Sequence, residues 1–171
     1  YKDKMICLSA RPNAAHLKAA ELEQKGKLAA VVTQNIDGLH SRAGSRRVYE
    51  LHGCVHRNYC EQCGRMYGAE YILQSEDIPL CVCGGTVKPD VVLYEEPLCD
   101  KVFEGALRAV AQADVLIVAG TSLAVYPAAS LLSYFRGKHL VLINRDKTPM
   151  DGAASLVVRG SVGQVLGSIE I

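Results

Sequence analysis

The 171-residue chain lacks an excess of either charge: 19 Lys and Arg stand against 18 Asp and Glu, for a net charge of +1. That balance removes the electrostatic case for direct nucleic-acid binding or for an anionic membrane surface. The chain also has no unbroken hydrophobic run of membrane-spanning length. Its most apolar stretch, Val115 to Leu132, is interrupted by Gly120-Thr121-Ser122 and by Pro127. A buried strand, a polar loop and a helix account for that stretch better than a membrane span. Tyr1-Lys2-Asp3-Lys4 leads only into a short apolar run, so no secretory signal is read there. Internal repeats and low-complexity tracts are missing too. The expectation is a soluble, cytoplasmic protein.

What the chain does have is core and cysteine. With 49% hydrophobic residues, its length suffices for one well-buried domain and a small satellite module. Seven cysteines are present, four of them in two close pairs, Cys60-Glu61-Gln62-Cys63 and Cys81-Val82-Cys83. In a reducing compartment such clusters bind metal more often than they form disulfides. Two pairs of thiolates complete a tetrahedron around zinc and leave no position open for water, so the site is expected to be structural. Gly64, Gly84 and Gly85 follow the pairs and permit tight turns that aim N–H groups at sulfur. The alternative is two reduced or disulfide-linked pairs without metal. Cys7, Cys54 and Cys99 read as small buried hydrophobes.

The remaining pattern is one of apolar strands and helices in alternation. Pro12 to Lys25 has helical spacing and Gly26 to end it, and Leu28 to Thr33 reads as a buried strand. Val102 to Ala113 reads as a helix, Asp114 to Ala119 as a strand, Pro127 to Phe135 as a helix, His139 to Ile143 as a strand, and Leu156 to Val158 as a last strand. Strands of this kind, without in–out alternation, indicate a doubly wound, Rossmann-like parallel sheet. The segment 54–89 is rich in Cys, Gly and polar residues and has little periodicity, as expected of an inserted zinc-binding module held by metal rather than by a core. Residues 1–53 and 90–171 are then expected to form the sheet domain. Ligands of such sheets bind beyond the carboxyl ends of the strands. Gln34-Asn35-Ile36-Asp37, Gly120-Thr121-Ser122 and Asn144 each follow a predicted strand, which points to a nucleotide-like ligand.

Five motifs in order then become specific. Thr33-Gln34-Asn35-Ile36-Asp37-Gly38-Leu39-His40, Glu50-Leu51-His52-Gly53, the cysteine pairs, Lys88-Pro89-Asp90-Val91-Val92 and Gly120-Thr121-Ser122-Leu123 closely resemble the signature of the sirtuins. The resemblance runs from about Ala10-Arg11-Pro12-Asn13 to the C-terminus, and the C-x-C pair and compact zinc module look bacterial. It implies an NAD-dependent protein lysine deacylase acting on acyl-lysine proteins or peptides, with zinc as a structural ion. The acyl oxygen attacks the nicotinamide ribose, nicotinamide departs, and His52 acts as general base on a ribose hydroxyl that attacks the acyl carbon. Imidazole suits that step because it titrates near neutrality. The products are free lysine, nicotinamide and O-acyl-ADP-ribose.

By the same resemblance Asn35 and Asp37 line the nicotinamide pocket beside His52, with Ile36 in the same run, and Gln34 orients the ribose. Gly120, Thr121 and Ser122 meet the phosphate and ribose region, Asn144 the adenosine ribose, and Val162 the adenine. Val92 offers its carbonyl to the substrate lysine amide, and Leu93, Tyr94, Glu95 and Glu96 pair with the substrate backbone as an added strand. Singly, many of these residues have plainer roles: Asn35 and Asp37 in a turn, Ser122 near a helix cap, Asn144 capping a loop. His16, His40, His56 and His139 support no catalytic role.

Two departures stand out. Tyr94-Glu95-Glu96 replaces the family's Phe-Gly-Glu, and losing that glycine removes a permissive backbone position, with altered peptide preference expected. The family's opening strand and Gly-Ala-Gly phosphate loop have no counterpart here. The resemblance therefore implies a region preceding Tyr1, and these 171 residues alone are expected not to deacylate. Two other readings stay open: a mono-ADP-ribosyltransferase sharing the NAD site, and an inactive zinc-ribbon interaction module.

Overall fold

The computed structural model describes residues 5–123 and 128–170. In chain order the elements are α1 (Ala14–Gln24), β1 (Val31–Thr33), α2 (Leu39–Ala43), β2 (Val48–Glu50), β3 (Gly53–Cys60), β4 (Met66–Tyr67), α3 (Ala69–Gln74), β5 (Val87–Val91), α4 (Asp100–Gln112), β6 (Val115–Ala119), a 3₁₀ segment (Ala128–Tyr134), β7 (His139–Asn144), a short 3₁₀ turn (Asp151–Ala153), β8 (Leu156–Arg159) and α5 (Val162–Gly167). The chain forms two compact units. One contains Thr33–Gly38 and Glu50–Leu98 with the segment up to Ala10; the other contains Arg11–Val32, Leu39–Tyr49 and everything from Cys99 onward.

The second unit holds a parallel sheet of order β6-β7-β8, in register Val115 with His139 and Val141 with Leu156. Leu140, Leu142 and Ile143 of β7 are buried, as a central strand requires. β6 departs from the expectation of a strand covered on both faces, since Val115 and Ile117 are exposed. Among the described residues it pairs with β7 alone. α1 begins two residues into the predicted helix. Asn13, not Pro12, is the cap, its side chain accepting from the N–H groups of Ala15 and His16, while His16 Nδ1 accepts from the Asn13 N–H. Histidine here fills the place that Glu or Gln takes in a capping box. The helix ends where Gly26 enters the left-handed region, with Gly26 N–H on the Glu23 carbonyl and Lys27 N–H on that of Leu22, a Schellman closure that glycine accommodates without strain. The segment predicted as a helix from Pro127 to Phe135 is a 3₁₀ run over Ala128–Tyr134; Pro127 lies outside the described residues.

The first unit is organised by an antiparallel sheet of order β4-β3-β5. It has a small core of its own, Cys60, Ile72, Cys81 and Val87 with Tyr67 packed against them. The expectation of a segment with metal but no core is corrected to that extent: two of the four buried residues are cysteines of the metal motif, and α3 supplies Ile72. Cys54 is buried as expected, whereas Cys7 and Cys99 are exposed.

Gly53 opens β3 at φ +78, and a Cβ there would run into the Asp90 carbonyl of the paired strand. The Gly53→Ala variant meets both a left-handed backbone, costing about 1–2 kcal/mol in a non-glycine residue, and a backbone clash. We expect a loss of roughly 2 kcal/mol or more in a urea melt of the zinc-loaded protein. An unchanged midpoint would mean that β3 and β5 can separate freely at that point.

Candidate active site

His52 lies immediately before β3, and its placement in the first unit follows from three hydrogen bonds. Leu51 N–H donates to the Thr33 carbonyl at 2.9 Å, Val92 N–H donates to the His52 carbonyl at 3.0 Å, and His52 Nδ1 lies 3.0 Å from the Gln34 carbonyl. A carbonyl can only accept, so Nδ1 carries the proton and Nε2 of the neutral ring is left with its lone pair. That is the tautomer a general base needs. Gln34–Asp37, the polar run after β1, is held through its carbonyls: Gln34 by His52, Ile36 by Val55 N–H at 2.9 Å, and Asp37 by His56 Nε2 at 3.1 Å. Asn35 N–H turns back onto Thr33 Oγ1 at 3.0 Å, so the turn-forming role is real for its backbone. Gly38 follows at φ +67, packed against Cys54 and His56.

Beyond β5, Val92 has its N–H engaged by His52 and carries no hydrogen bond on its carbonyl among the described residues. Leu93–Glu96 form a turn: Glu96 N–H donates to the Leu93 carbonyl at 3.1 Å, and Leu93 N–H donates to a Glu96 carboxylate oxygen at 3.0 Å. Lys88 Nζ reaches the same oxygen at 3.1 Å. The Leu93 N–H and the Lys88 ammonium hold the Glu96 carboxyl below the usual carboxylate range. Glu95, which stands where the family pattern has glycine, adopts φ +71, the conformation a type II turn demands at its third position. Losing the glycine has thus not removed the backbone geometry. Tyr94 and Glu95 are fully or largely exposed at the tip.

The four cysteines converge. Sγ atoms of Cys60, Cys63, Cys81 and Cys83 all lie within 4.8 Å of one another, with Cys60–Cys83 and Cys63–Cys81 at 3.5 Å. No disulfide joins them. A zinc tetrahedron with 2.3 Å bonds has edges of about 3.8 Å, so the thiol spacing fits this ion. The Cys83 N–H and the Tyr67 hydroxyl, 3.0 Å from Cys81 Sγ, pull the Cys81 thiol down to about 6. The Cys83 thiol is drawn down by the Gly85 N–H but pushed up to about 12 by the surrounding sulfurs of Cys81, Cys60 and Cys63. Four sulfurs in such proximity cannot all ionise without a cation among them.

The second unit carries a cleft of about 310 Å³ lined by Asn13, Gly120, Asn144, Arg145, Gly160, Ser161, Val162 and Gly163. It lies beyond the carboxyl ends of β6, β7 and β8, where an open α/β sheet binds its ligand. Gly120 turns at φ +65, and a Cβ there would meet Val162 Cγ2 at 3.4 Å, so the glycine keeps the cleft open on that side. Asn144 braces it: Nδ2 donates to the Thr121 carbonyl at 3.1 Å and Oδ1 accepts from Arg145 N–H at 3.0 Å. Thr121 Oγ1 accepts from Leu123 N–H. Ser122 is exposed. Sequence reasoning placed Gly120, Asn144 and Val162 here but missed Asn13, Arg145, Gly160 and Ser161. The last two follow β8 as Gly120 follows β6, and the same strand-end rule would have found them.

A parallel α/β sheet with a strand-end cleft, together with a four-thiol cluster and a histidine anchored through Nδ1, defines a nucleotide-binding α/β protein with a structural metal site. Similarity to known proteins narrows this class to a family. The Sir2 family model matches residues 1–127. An NAD-dependent protein deacetylase of Clostridium acetobutylicum is 56% identical over 171 residues, covering 99% of this chain and 70% of the relative; one of Clostridium perfringens is 57% identical with the same coverage. A solved structure of Sir2 with a p53 peptide and NAD+ superposes with a TM-score of 0.88 at 42% identity, covering 93% of this chain and 69% of that one. The chain belongs to the Sir2 family. Among the described residues no helix is long and apolar enough to cross a membrane.

Proposed function

We propose that this chain is an NAD-dependent protein lysine deacylase, working in the cytoplasm, in which His52 is the general base. The observation that carries the reading is the His52 tautomer: a ring whose Nδ1–H is given to the Gln34 carbonyl presents a basic Nε2 beside the Gln34–Asp37 loop. When bound, NAD supplies nicotinamide as leaving group and its ribose as acyl acceptor.

The residues divide the work. Asn35, Ile36 and Asp37 form the wall for nicotinamide, and Gln34 orients the ribose while its carbonyl fixes the His52 ring. Gly120, Thr121, Ser122, Asn144 and Val162 hold the ADP half. The strand-end position of the cleft and its open glycine side support this. The Val92 carbonyl accepts from the substrate lysine N–H. The turn at Leu93–Glu96 has spent both Leu93 backbone groups internally, so strand-like pairing with a peptide requires Glu96 to let go of Leu93, leaving Tyr94 and Glu95 as the first to meet substrate. Cys60, Cys63, Cys81 and Cys83 hold zinc, which leaves no open coordination position and so takes no part in acyl transfer.

The test is nicotinamide release from NAD by the native protein that contains these residues, any region preceding Tyr1 in place, with an acetyl-lysine peptide present and then omitted. Peptide-dependent release with O-acetyl-ADP-ribose and free lysine peptide as products is expected. A peptide heavier by one ADP-ribose would replace this reading with mono-ADP-ribosyl transfer, and zinc-loaded, folded protein that releases no nicotinamide would overturn it.

A further inference from the structure

Between Cys54, paired with Asp90, and Asn58, paired with Pro89, strand β3 carries three residues that β5 does not match: Val55, His56 and Arg57. The bulge is closed from within. Asn58, fully buried, donates its Nδ2 to the Val55 carbonyl across it at 3.2 Å. Bulges of this kind re-aim side chains next to sites, and here Val55 and His56 grip the loop after β1 while Arg57 grips two carboxylates. Val55 N–H holds the Ile36 carbonyl and His56 Nε2–H holds that of Asp37. Arg57 spreads its guanidinium over two carboxylates, Nε to Asp90 Oδ2 at 2.7 Å and Nη1 to Glu50 Oε2 at 2.8 Å.

We infer that this bulge is the positioning device of the active site, with His56 and Arg57 as two separate positioning residues. The inference rests on the deacylase reading above. His56 acts on the nicotinamide wall, because the carbonyl it holds belongs to Asp37 itself and its ring fills the space beside Gly38, where even a methyl group would come within 3.1 Å of Cδ2. Arg57 acts on the base and the substrate lysine. Glu50 lies two residues before His52 and Asp90 two before Val92, and the Val92 N–H is itself bonded to the His52 carbonyl. The guanidinium thus ties together the two segments whose spacing sets the base against the acyl-lysine. A planar fork can span two carboxylates at once; an ammonium group does not reproduce that geometry. The Arg57 and Asp90 side chains are 44% and 43% exposed, and an ion pair so exposed contributes little to stability; Glu50 is only 12% exposed, so losing Arg57 also costs some stability. The melting midpoint separates that cost from the effect on placement.

The experiment compares His56→Phe, His56→Gln, Arg57→Gln and Arg57→Lys in the full chain, each checked for one zinc and for its melting midpoint. His56→Phe is expected to raise KM for NAD about tenfold, the worth of one hydrogen bond, and to weaken inhibition by nicotinamide, with kcat held within about twofold. His56→Gln, which restores an N–H donor, should recover most of that loss. Both Arg57 variants should lower kcat about tenfold while KM for NAD stays put. Amide hydrogen exchange should speed up at Gln34–Gly38 in His56→Phe and at Val92 in the Arg57 variants. Parallel losses of kcat and KM in all variants, tracking their stability, would overturn the inference, and so would wild-type kinetics throughout. If the wild-type protein releases no nicotinamide, the deacylase reading fails by itself; unchanged exchange protection in the variants would then reject the clamp as well.

Discussion

Replacing His52 by glutamine is expected to cut deacylation by about 10²–10⁴-fold, the usual contribution of a positioned general base, while zinc content and fold are retained. Glutamine keeps a side-chain N–H within reach of the Gln34 carbonyl, so the loop after β1 keeps its anchor, but an amide has no basic lone pair to take a proton. The base is needed only after nicotinamide has left. Exchange of labelled nicotinamide into NAD should therefore persist in the variant when acyl-peptide is present. The measurement is paired, exchange and peptide deacylation on the same preparation. Equal loss of both would show that His52 serves binding of NAD rather than proton transfer, and unimpaired deacylation would remove it from the mechanism.

The second large effect concerns the thiols. Cys81→Ser, or a strong chelator on the unaltered protein, is expected to unfold the β4-β3-β5 sheet and with it to abolish activity. The magnitudes decide this. Around the thiols, apart from the two ligand cysteines, the buried core cluster is Ile72 and Val87, worth roughly 1.5–3 kcal/mol each; Val55 and Val91 are buried nearer the start of β3. Zinc binding by four thiolates supplies about 10–16 kcal/mol in comparable small modules. Loss of the metal therefore removes most of what holds the thiol end of the sheet together, and His52 and the loop at Gln34–Asp37 hang on the first residues of the same β3. Zinc stoichiometry, hydrogen exchange over Gly53–Val91 and nicotinamide release should fall together. Retained protection in the zinc-free protein would show that Ile72 and Val87 suffice. Protons compete with zinc for the sulfurs, so affinity should fall as pH is lowered; Cys81, drawn down to about 6 by the Cys83 N–H and the Tyr67 hydroxyl, gives up its thiolate later than an ordinary cysteine would.

Elements whose signal is local were legible in the sequence. The apolar runs at Val115–Ala119 and 140–143 were legible as strands because each is too short for a helix and is bounded by polar or glycine residues. Gly26 ends α1 because a left-handed residue is needed there. The cysteine pairs announce their ion because ligand type and spacing are both written in order along the chain. The polar runs after the strands mark the candidate site because the carboxyl ends of parallel strands are open to ligand whatever the side chains beyond them.

Other features required the folded chain. The type of residue at 95 argues against a left-handed turn, yet Glu95 adopts one, because the Glu96 carboxylate, the Leu93 N–H and the Lys88 ammonium close that turn from outside. In the sequence His56 supports no catalytic role and Arg57 carries no signal; the two gained partners only when a three-residue mismatch between β3 and β5 turned them toward Asp37, Glu50 and Asp90. Asn13 caps α1 and is also a wall of the cleft, since α1 begins beside the ends of β7 and β8. By itself the sequence determined which residue types were available and which stretches would be strand, helix or metal knot, because those depend on neighbours a few positions away. The tautomer of His52 and the grip on its loop were decided only by tertiary structure, because each depends on a carbonyl or carboxylate brought from a distant segment, and nothing in the order of residues states which one will arrive.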